Sequence, residues 1–306
     1  MAPEGLTQVH LNNSGAEAVE AAMKFARKFT GKKGMVAMKG SYHGKSFGAL
    51  SLTFNPKYRK AFAPLVEKVS FASFGDMDSL RSVIDEDTAF IILEPIQGES
   101  GIVVAPDGFL QEVRKLCDEK GILLVFDEIQ AGLGRTGRLW AGEHWNTVPD
   151  ILCLAKGIAG GVPMGATLVK PGILAAISKG EHSSTFGGNP ISCAAGIAAL
   201  TSLTEDGLIE NSKKMGEIFR EGLEKLKEKH TMIREIRGKG LMIGIEMKFE
   251  VKDILMGLID EGVLMLYSGR NILRILPPLV IKEEDVTKVL HALDVVITKE
   301  EEKRNV

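Results

Sequence analysis

Apolar residues fall into short unbroken runs separated by stretches of helical spacing, a pattern that predicts an open sheet with helices packed against it. Residues 9–11, 35–38, 88–93, 123–126, 149–155 and 166–169 read as strands. Several of these runs show no polar alternation, as expected of strands covered on both faces. Between them, Val19, Ala22, Met23, Ala26 and Phe29 recur at helical spacing up to Gly31, and Phe109, Val113, Leu116 and Cys117 mark a second helix. An alanine-rich helix is predicted over 191–203, and 55–69 reads as loop and short helix.

The pattern shifts near Glu205. A charged amphipathic helix over 208–229 is followed by a strand at 241–246, a helix at 251–260, strands at 263–266 and 272–276, a helix at 283–297 and a charged, frayed tail from Lys299 to Val306. Two domains are expected: a larger α/β unit over 1–204 and a small α+β unit over 205–306. The length of 306 residues agrees, because single cores stop growing near ~250–300 residues.

Composition narrows the function classes. A net charge of −2 supplies no basic field for nucleic acid or an anionic membrane. No apolar run reaches the ~20 residues that span a bilayer, and no secretory leader pattern precedes the body. Cys117, Cys153 and Cys193 are isolated in apolar surroundings, which suggests free thiols in a reducing compartment, hence the cytoplasm, and neither a disulfide frame nor a metal site.

The chemistry concentrates where apolar runs end. The run at 123–126 stops at Asp127-Glu128-Ile129-Gln130, and the run at 149–155 stops at Lys156. Ligands of open α/β sheets sit beyond the carboxyl ends of the strands, so neighbouring strands would bring an acid and a lysine to one rim. Pyridoxal phosphate needs that pair: the lysine attaches to its aldehyde, and the carboxylate keeps its pyridine nitrogen protonated. A surface lysine beside a helix cap would look the same from these two residues alone.

Other stretches offer partners. Ser14 followed by Glu17 is a capping box that opens a helix, whose free N–H groups suit a phosphate or serve only as a cap. Gly44-Lys45-Ser46 imitates the end of a Walker A loop, but Lys39 stands where its leading glycine belongs and Tyr42 and His43 crowd it. Tyr42 could instead lie on a planar ring. Glu94 and Glu99, on a glycine-bearing loop at a strand end, fit a supporting acid and a gate, or are solvated loop charges. Arg274 lies within an apolar strand, so it is paired with an acid or awaits a carboxylate ligand.

Taken in order, residues 13–18 (NSGAEA), 42–44 (YHG), 94–101 (EPIQGESG), 127–137 (DEIQAGLGRTG), 154–158 (LAKGI) and 184–190 (STFGGNP) resemble the class III, fold type I pyridoxal-phosphate aminotransferases. That group contains the acetylornithine, ornithine and 4-aminobutyrate aminotransferases. The resemblance covers about residues 6–296. It implies a mostly parallel seven-stranded sheet with helices on both faces and a small α+β carboxyl-terminal domain. Residues 237–246 (RGKGLMIGIE) and 273–281 (LRILPPLVI) look most like the acetylornithine and lysine-biosynthesis branch.

Carried over position by position, the resemblance gives Gly15 and Ala16 to the cofactor phosphate. Tyr42 and Ile129 take the two ring faces, Asp127 the pyridine nitrogen, Gln130 the phenolic oxygen and Lys156 the covalent attachment and proton transfer. Thr185 would reach the phosphate of a neighbouring subunit, which implies a homodimer. Arg274 would bind a substrate carboxylate while Glu99 pairs with it and swings aside, and Lys45 and Ser184 would touch substrate. The implied reaction moves the distal amine of an N2-blocked basic amino acid to 2-oxoglutarate, forming glutamate, with an acetyl group or an amino-group carrier protein as the block. Ornithine or 4-aminobutyrate transamination is the alternative.

Three departures stand out. The family's arginine after His-Gly is Lys45, which keeps the charge and loses the bidentate fork. Ser183 replaces a common glycine. The family's segment ahead of the NSGAEA strand is missing, so a truncated, inactive fragment is a competing expectation.

Overall fold

The computed structural model describes residues 1–304, and its first half alternates strand and helix: β1 (Gln8–Asn12), α1 (Gly15–Thr30), β2 (Gly34–Met38), α2 (Phe47–Leu52), α3 (Pro56–Arg59), β3 (Val69–Ala72), α4 (Met77–Val83) and β4 (Thr88–Leu93). A short ladder, β5 (Ile96–Gln97) with β6 (Val103–Val104), precedes α5 (Phe109–Lys120), β7 (Leu123–Asp127), β8 (Ile151–Leu154), β9 (Gly165–Val169) and α6 (Pro190–Glu205). Seven of these strands form one sheet in the order β1-β9-β8-β7-β4-β2-β3. The pairs β2–β3, β2–β4, β4–β7 and β7–β8 are parallel, while β8–β9 and β1–β9 are antiparallel.

Continuous apolar runs are explained by the two faces. Alternate residues along a strand point to opposite sides. Val36, Ile91, Leu93, Leu124, Phe126 and Leu152 join one core with α5, while Met35, Phe90, Ile92, Val125 and Ile151 join the other with α1. The expected Glu17 half of the capping box differs: Ser14 Oγ accepts from Glu17 N as anticipated, but Glu17 Oε2 accepts from Asn13 N at 2.6 Å.

The last third forms a separate small domain. It contains α7 (Leu208–Lys229), β10 (Ile233–Lys239), β11 (Met242–Met247), α8 (Lys252–Asp260), β12 (Leu266–Ser268), β13 (Ile272–Ile275) and α9 (Glu283–Arg304). The antiparallel sheet runs β10-β11-β13-β12 over its own core. Two expectations are corrected here. The strand anticipated at 263–266 begins only at Leu266, because pairing with β13 puts Leu266 opposite Arg274 and leaves Leu264 exposed. The tail expected to fray from Lys299 continues α9 to Arg304, with Lys303 Nζ 3.0 Å from Asp253; Asn305 and Val306 lie outside the described residues.

Candidate active site

Strands β7 and β8 are parallel neighbours, and at their carboxyl ends Asp127 and Lys156 line one cavity of about 510 Å³. Ser14, Gly15 and Ala16 bring the amino end of α1 to the same cavity, and Tyr42, His43, Lys45, Glu94, Glu99, Ile129 and Gln130 complete most of its wall. Such a volume suits a cofactor-sized ligand.

Asp127 is buried and firmly held. Its Oδ2 lies 2.7 Å from His43 Nδ1, and its Oδ1 accepts from Ile129 N at 3.1 Å. Glu94 is buried alongside. Its two oxygens accept from Tyr42 N and Gly98 N, both at 3.0 Å, and so tie the two loops that flank the cavity. Burial pushes the Glu94 carboxyl up to about 7, with the nearby Asp127 charge adding to the rise and His43 opposing it.

Lys156 has an unusual backbone for its type, with φ 47°, a left-handed conformation costly for a residue with a side chain. Its side chain keeps accessible surface because it faces the open cavity, yet the surrounding walls remove much of its hydration. That desolvation lowers its pKa from the ordinary lysine value, against the opposing pull of Asp127, Glu94 and Glu99. An amine depressed in this way is available as a nucleophile and as a base.

Arg274 Nη1 lies 2.8 Å from Glu99 Oε1 and donates to Gly98 O at 3.3 Å, so the small domain presents its apolar-strand arginine directly to the cavity loop. Ser268 Oγ donates to Glu99 O, and Arg237 Nε donates to Gly101 O at 2.8 Å, fixing the same loop from β12 and β10. Arg135, after Gly134, donates to Leu241 O and Pro277 O and locks the two halves together.

The cavity wall fits pyridoxal phosphate on its own evidence. Gln130 lines it with Oε1 buried and unpartnered, an acceptor left free for a ligand N–H or O–H. A Cβ on Gly15 would stand 2.8 Å from Ile129 Cδ1, so the glycine lets the helix start come close to the residue expected to cover one ring face without displacing it. Gly15, Ala16, Tyr42, Lys45, Glu99, Asp127, Ile129, Gln130 and Lys156 all line this cavity. Arg274 reaches it through Glu99.

Two expected residues stand apart. Thr185 is exposed and is not on the wall, and Ser184 Oγ accepts from Asn13 Nδ2 at 3.1 Å and from Gly187 N instead of lining the space. Three contributors escaped the sequence reading. His43 orients Asp127; Glu20 Oε1 accepts from Ser46 Oγ, Gly48 N and Ala49 N and anchors the loop bearing Lys45; buried Glu128 accepts from Ala141 N and Gly142 N. Glu20 also fills the anion position that a Walker loop would keep for phosphate, which removes that reading. A polar residue in a strand-end motif was the available signal for His43 and Glu128; no local signal marks Glu20.

Comparison with known proteins agrees with this geometry. The aminotransferase class-III family model matches residues 1–297. The acetylornithine aminotransferase of Caldanaerobacter subterraneus subsp. tengcongensis is 44% identical over 298 residues, covering 95% of this chain and 76% of that protein. The [LysW]-aminoadipate semialdehyde/glutamate semialdehyde transaminase of Sulfurisphaera tokodaii is 43% identical over 302 residues, covering 99% of this chain and 78% of that protein. Among solved structures, an ornithine aminotransferase of Toxoplasma gondii, with partial occupancy of PLP at its active site, superposes with a TM-score of 0.94 at 34% identity, covering 98% of this chain and 74% of that one. The chain belongs to the class-III aminotransferases and is a pyridoxal-phosphate-dependent transaminase.

Proposed function

We propose that this transaminase moves the distal amine of an N2-blocked basic amino acid to 2-oxoglutarate, yielding a semialdehyde and glutamate, in arginine or lysine biosynthesis. The observation that carries the reading is the Glu99–Arg274 pair at 2.8 Å beside Lys156 and Asp127. A donor entering by its distal amine has no carboxylate near the reacting carbon, so Arg274 stays capped by Glu99. Glutamate brings its α-carboxylate there, and Glu99, partly exposed, swings aside to release the guanidinium.

Bound pyridoxal phosphate supplies an electron-withdrawing ring and an aldehyde able to take up an amino group. Asp127, held by His43 and Ile129 N, would keep a proton on the ring nitrogen. Gly15 and Ala16 at the start of α1 would hold the phosphate with backbone N–H groups, and Tyr42 and Ile129 would cover the ring. Gln130 would donate to the phenolic oxygen through Nε2. Lys156, with its depressed pKa, would be the amine that holds the cofactor and, when neutral and free, the base that accepts the proton from the donor carbon and gives it back. Lys45, on the cavity wall, meets the donor's α-carboxylate, and Ser184 supports it through Asn13.

The working unit in this reading is a homodimer. Helix α6 is apolar on most sides, yet Ile191 and Ile197 stand 74% and 69% exposed, with Phe186 70% exposed beside them. A second copy on that face would bury them and carry the exposed Thr185 to the partner's phosphate site. We place the domain boundary at 204/205 and the reaction in the cytoplasm, in keeping with three free cysteines. Among the described residues no helix is long and apolar enough to cross a membrane.

The test is a half-reaction screen of the holoenzyme with N2-acetylornithine, N2-acetyllysine, ornithine and 4-aminobutyrate, followed by a carrier-linked lysine. The reading expects an N2-blocked donor to have the highest kcat/KM. Faster turnover of free ornithine or 4-aminobutyrate overturns it. Ornithine is the second reading, supported by Lys45, whose single ammonium grips a carboxylate less specifically than a guanidinium fork.

A further inference from the structure

Lys45 reaches the cavity wall from an exposed loop, and no carboxylate lies within ion-pair distance of its ammonium among the described residues. Its ammonium lies against an aromatic face: Nζ is 4.8 Å from the ring centroid of Tyr58. Tyr58 is half-buried on α3, and the same ring stands edge-to-face with Tyr42, with centroids 5.8 Å apart and planes at 80°. One side chain therefore touches both the residue expected to cover the cofactor ring and the cation expected to meet the donor.

From this arrangement we infer that Tyr58 is a positioning residue of the donor site, holding the Lys45 ammonium on the cavity wall for an anionic group of the amino donor. The inference rests on the reading of Lys45 as a donor contact and goes one residue beyond it. The physical need is specific to lysine. Four rotatable bonds leave a lysine head mobile, and fixing such a side chain costs conformational entropy on binding; arginine loses less of its freedom for each hydrogen bond it forms. A carboxylate holding Lys45 in place would neutralise it. An aromatic face holds the ammonium through the ring quadrupole and leaves its N–H groups free for the donor. The loop is already stiff at its base, since Glu20 Oε1 accepts from Ser46 Oγ, Gly48 N and Ala49 N, and Thr53 Oγ1 donates to Gly44 O. Only the lysine head remains to be placed.

A double-mutant cycle on the holoenzyme tests this, using N2-acetylornithine as donor and reading KM and kcat separately. Tyr58→Leu should raise the donor KM on the order of two- to fivefold with kcat nearly unchanged. Tyr58→Phe, which keeps the ring, should restore it. Lys45→Ala should raise KM further, and adding Tyr58→Leu to it should have no additional effect, because the ring then has no cation to hold. The cofactor absorbance band of each variant checks that Tyr42 is undisturbed. If Lys45→Ala raises KM while Tyr58→Leu does not, or if the two effects simply add, the positioning role is overturned and the Lys45 reading stands. If Lys45→Ala leaves KM unchanged, Lys45 is not the donor contact and both fall together.

Discussion

His43 Nδ1 lies 2.7 Å from Asp127 Oδ2, and both side chains are almost wholly shut off from solvent. A carboxylate accepts, so the ring hydrogen sits on Nδ1, and Nε2 is left buried without a partner. His43 thereby fixes which way the carboxylate faces, while Ile129 N fixes its other oxygen. Replacing His43 by Leu should leave the fold standing and disturb the charge that Asp127 presents to the ring nitrogen. A hydrogen bond to a charged group is worth about 1.5–3 kcal/mol, so kcat should fall on the order of 10- to 100-fold, with donor KM little changed. Steady-state kinetics of the His43→Leu holoenzyme decide it; unchanged kcat would show that Asp127 needs no such support.

This pair also shows where reading the chain stops. Asp127 and Lys156 were legible because each closes an apolar run, and parallel strands deliver such residues to a common rim. Nothing local says that a histidine 84 positions earlier meets that aspartate; only the folded loops bring them together. The same limit explains β3, an edge strand with one partner whose mixed Val-Ser-Phe-Ala pattern has no strong periodicity. It also explains the misplaced strand at 263–266, whose apolar run suggested pairing that the register with β13 gives to Leu266–Ser268 instead. Glu94 was legible as a supporting acid because it too ends a buried strand, and it does bind the backbone of both cavity loops.

The depressed pKa of Lys156 has a pH consequence with a definite sign. Its folded value lies below the ordinary 10.5, so between the two values the folded chain binds fewer protons than the unfolded one. Folding stability therefore gains from this group as pH rises through that window, and below it the cost of the desolvated charge is fully present. In cofactor-free protein the rate of pyridoxal phosphate attachment should climb with pH and level off before a free lysine does. Stopped-flow absorbance between pH 7 and 10.5 measures it, and a plateau coinciding with that of free lysine would contradict the lowered value.

The Glu99–Arg274 pair, the gate of the proposed function, can be opened by substitution. Glu99→Ala removes the carboxylate 2.8 Å from Arg274 Nη1 and leaves the guanidinium with Gly98 O. Because Glu99 is about a third exposed, the pair is partly screened and the change modest. The expected outcome is an unchanged or lower KM for glutamate. Discrimination against donors that enter by an α-amine should weaken by roughly tenfold or less. Comparing kcat/KM for glutamate and for N2-acetylornithine in the variant checks both halves.

Gly98 separates cofactor binding from folding. A Cβ built there would stand 2.0 Å from Gln130 Oε1 and 2.6 Å from its Cδ, the movable end of a side chain. Gly98→Ala should therefore push Gln130 aside and leave the backbone where it is. The cofactor loses one hydrogen bond, so its Kd should rise on the order of tenfold, while Tm stays within a few degrees of the parent. Titration of the cofactor-free variant with pyridoxal phosphate, followed by its absorbance, gives the Kd.

Glu128 shows how a group next to the chemistry can act through stability alone. It is buried, and its oxygens accept from Ala141 N at 2.6 Å and Gly142 N at 2.8 Å, holding the turn that follows the glycine-rich loop. Burial pushes its carboxyl from 4.5 up to about 7, against the pull of those two N–H groups. A carboxyl raised on folding means that the folded chain holds the proton more tightly than the unfolded one. Its contribution is therefore complete below about 4.5 and is lost as pH climbs to about 7. Urea denaturation of the wild-type chain at pH 5 and pH 8 should show that loss, shared with Glu94, which is raised to a similar value. Glu128→Gln cannot ionise, and although less stable at pH 5 through its lost acceptor, it should lose less between the two pH values, by on the order of 2–3 kcal/mol. An identical pH slope in the two proteins would mean that Glu128 does not titrate in this range.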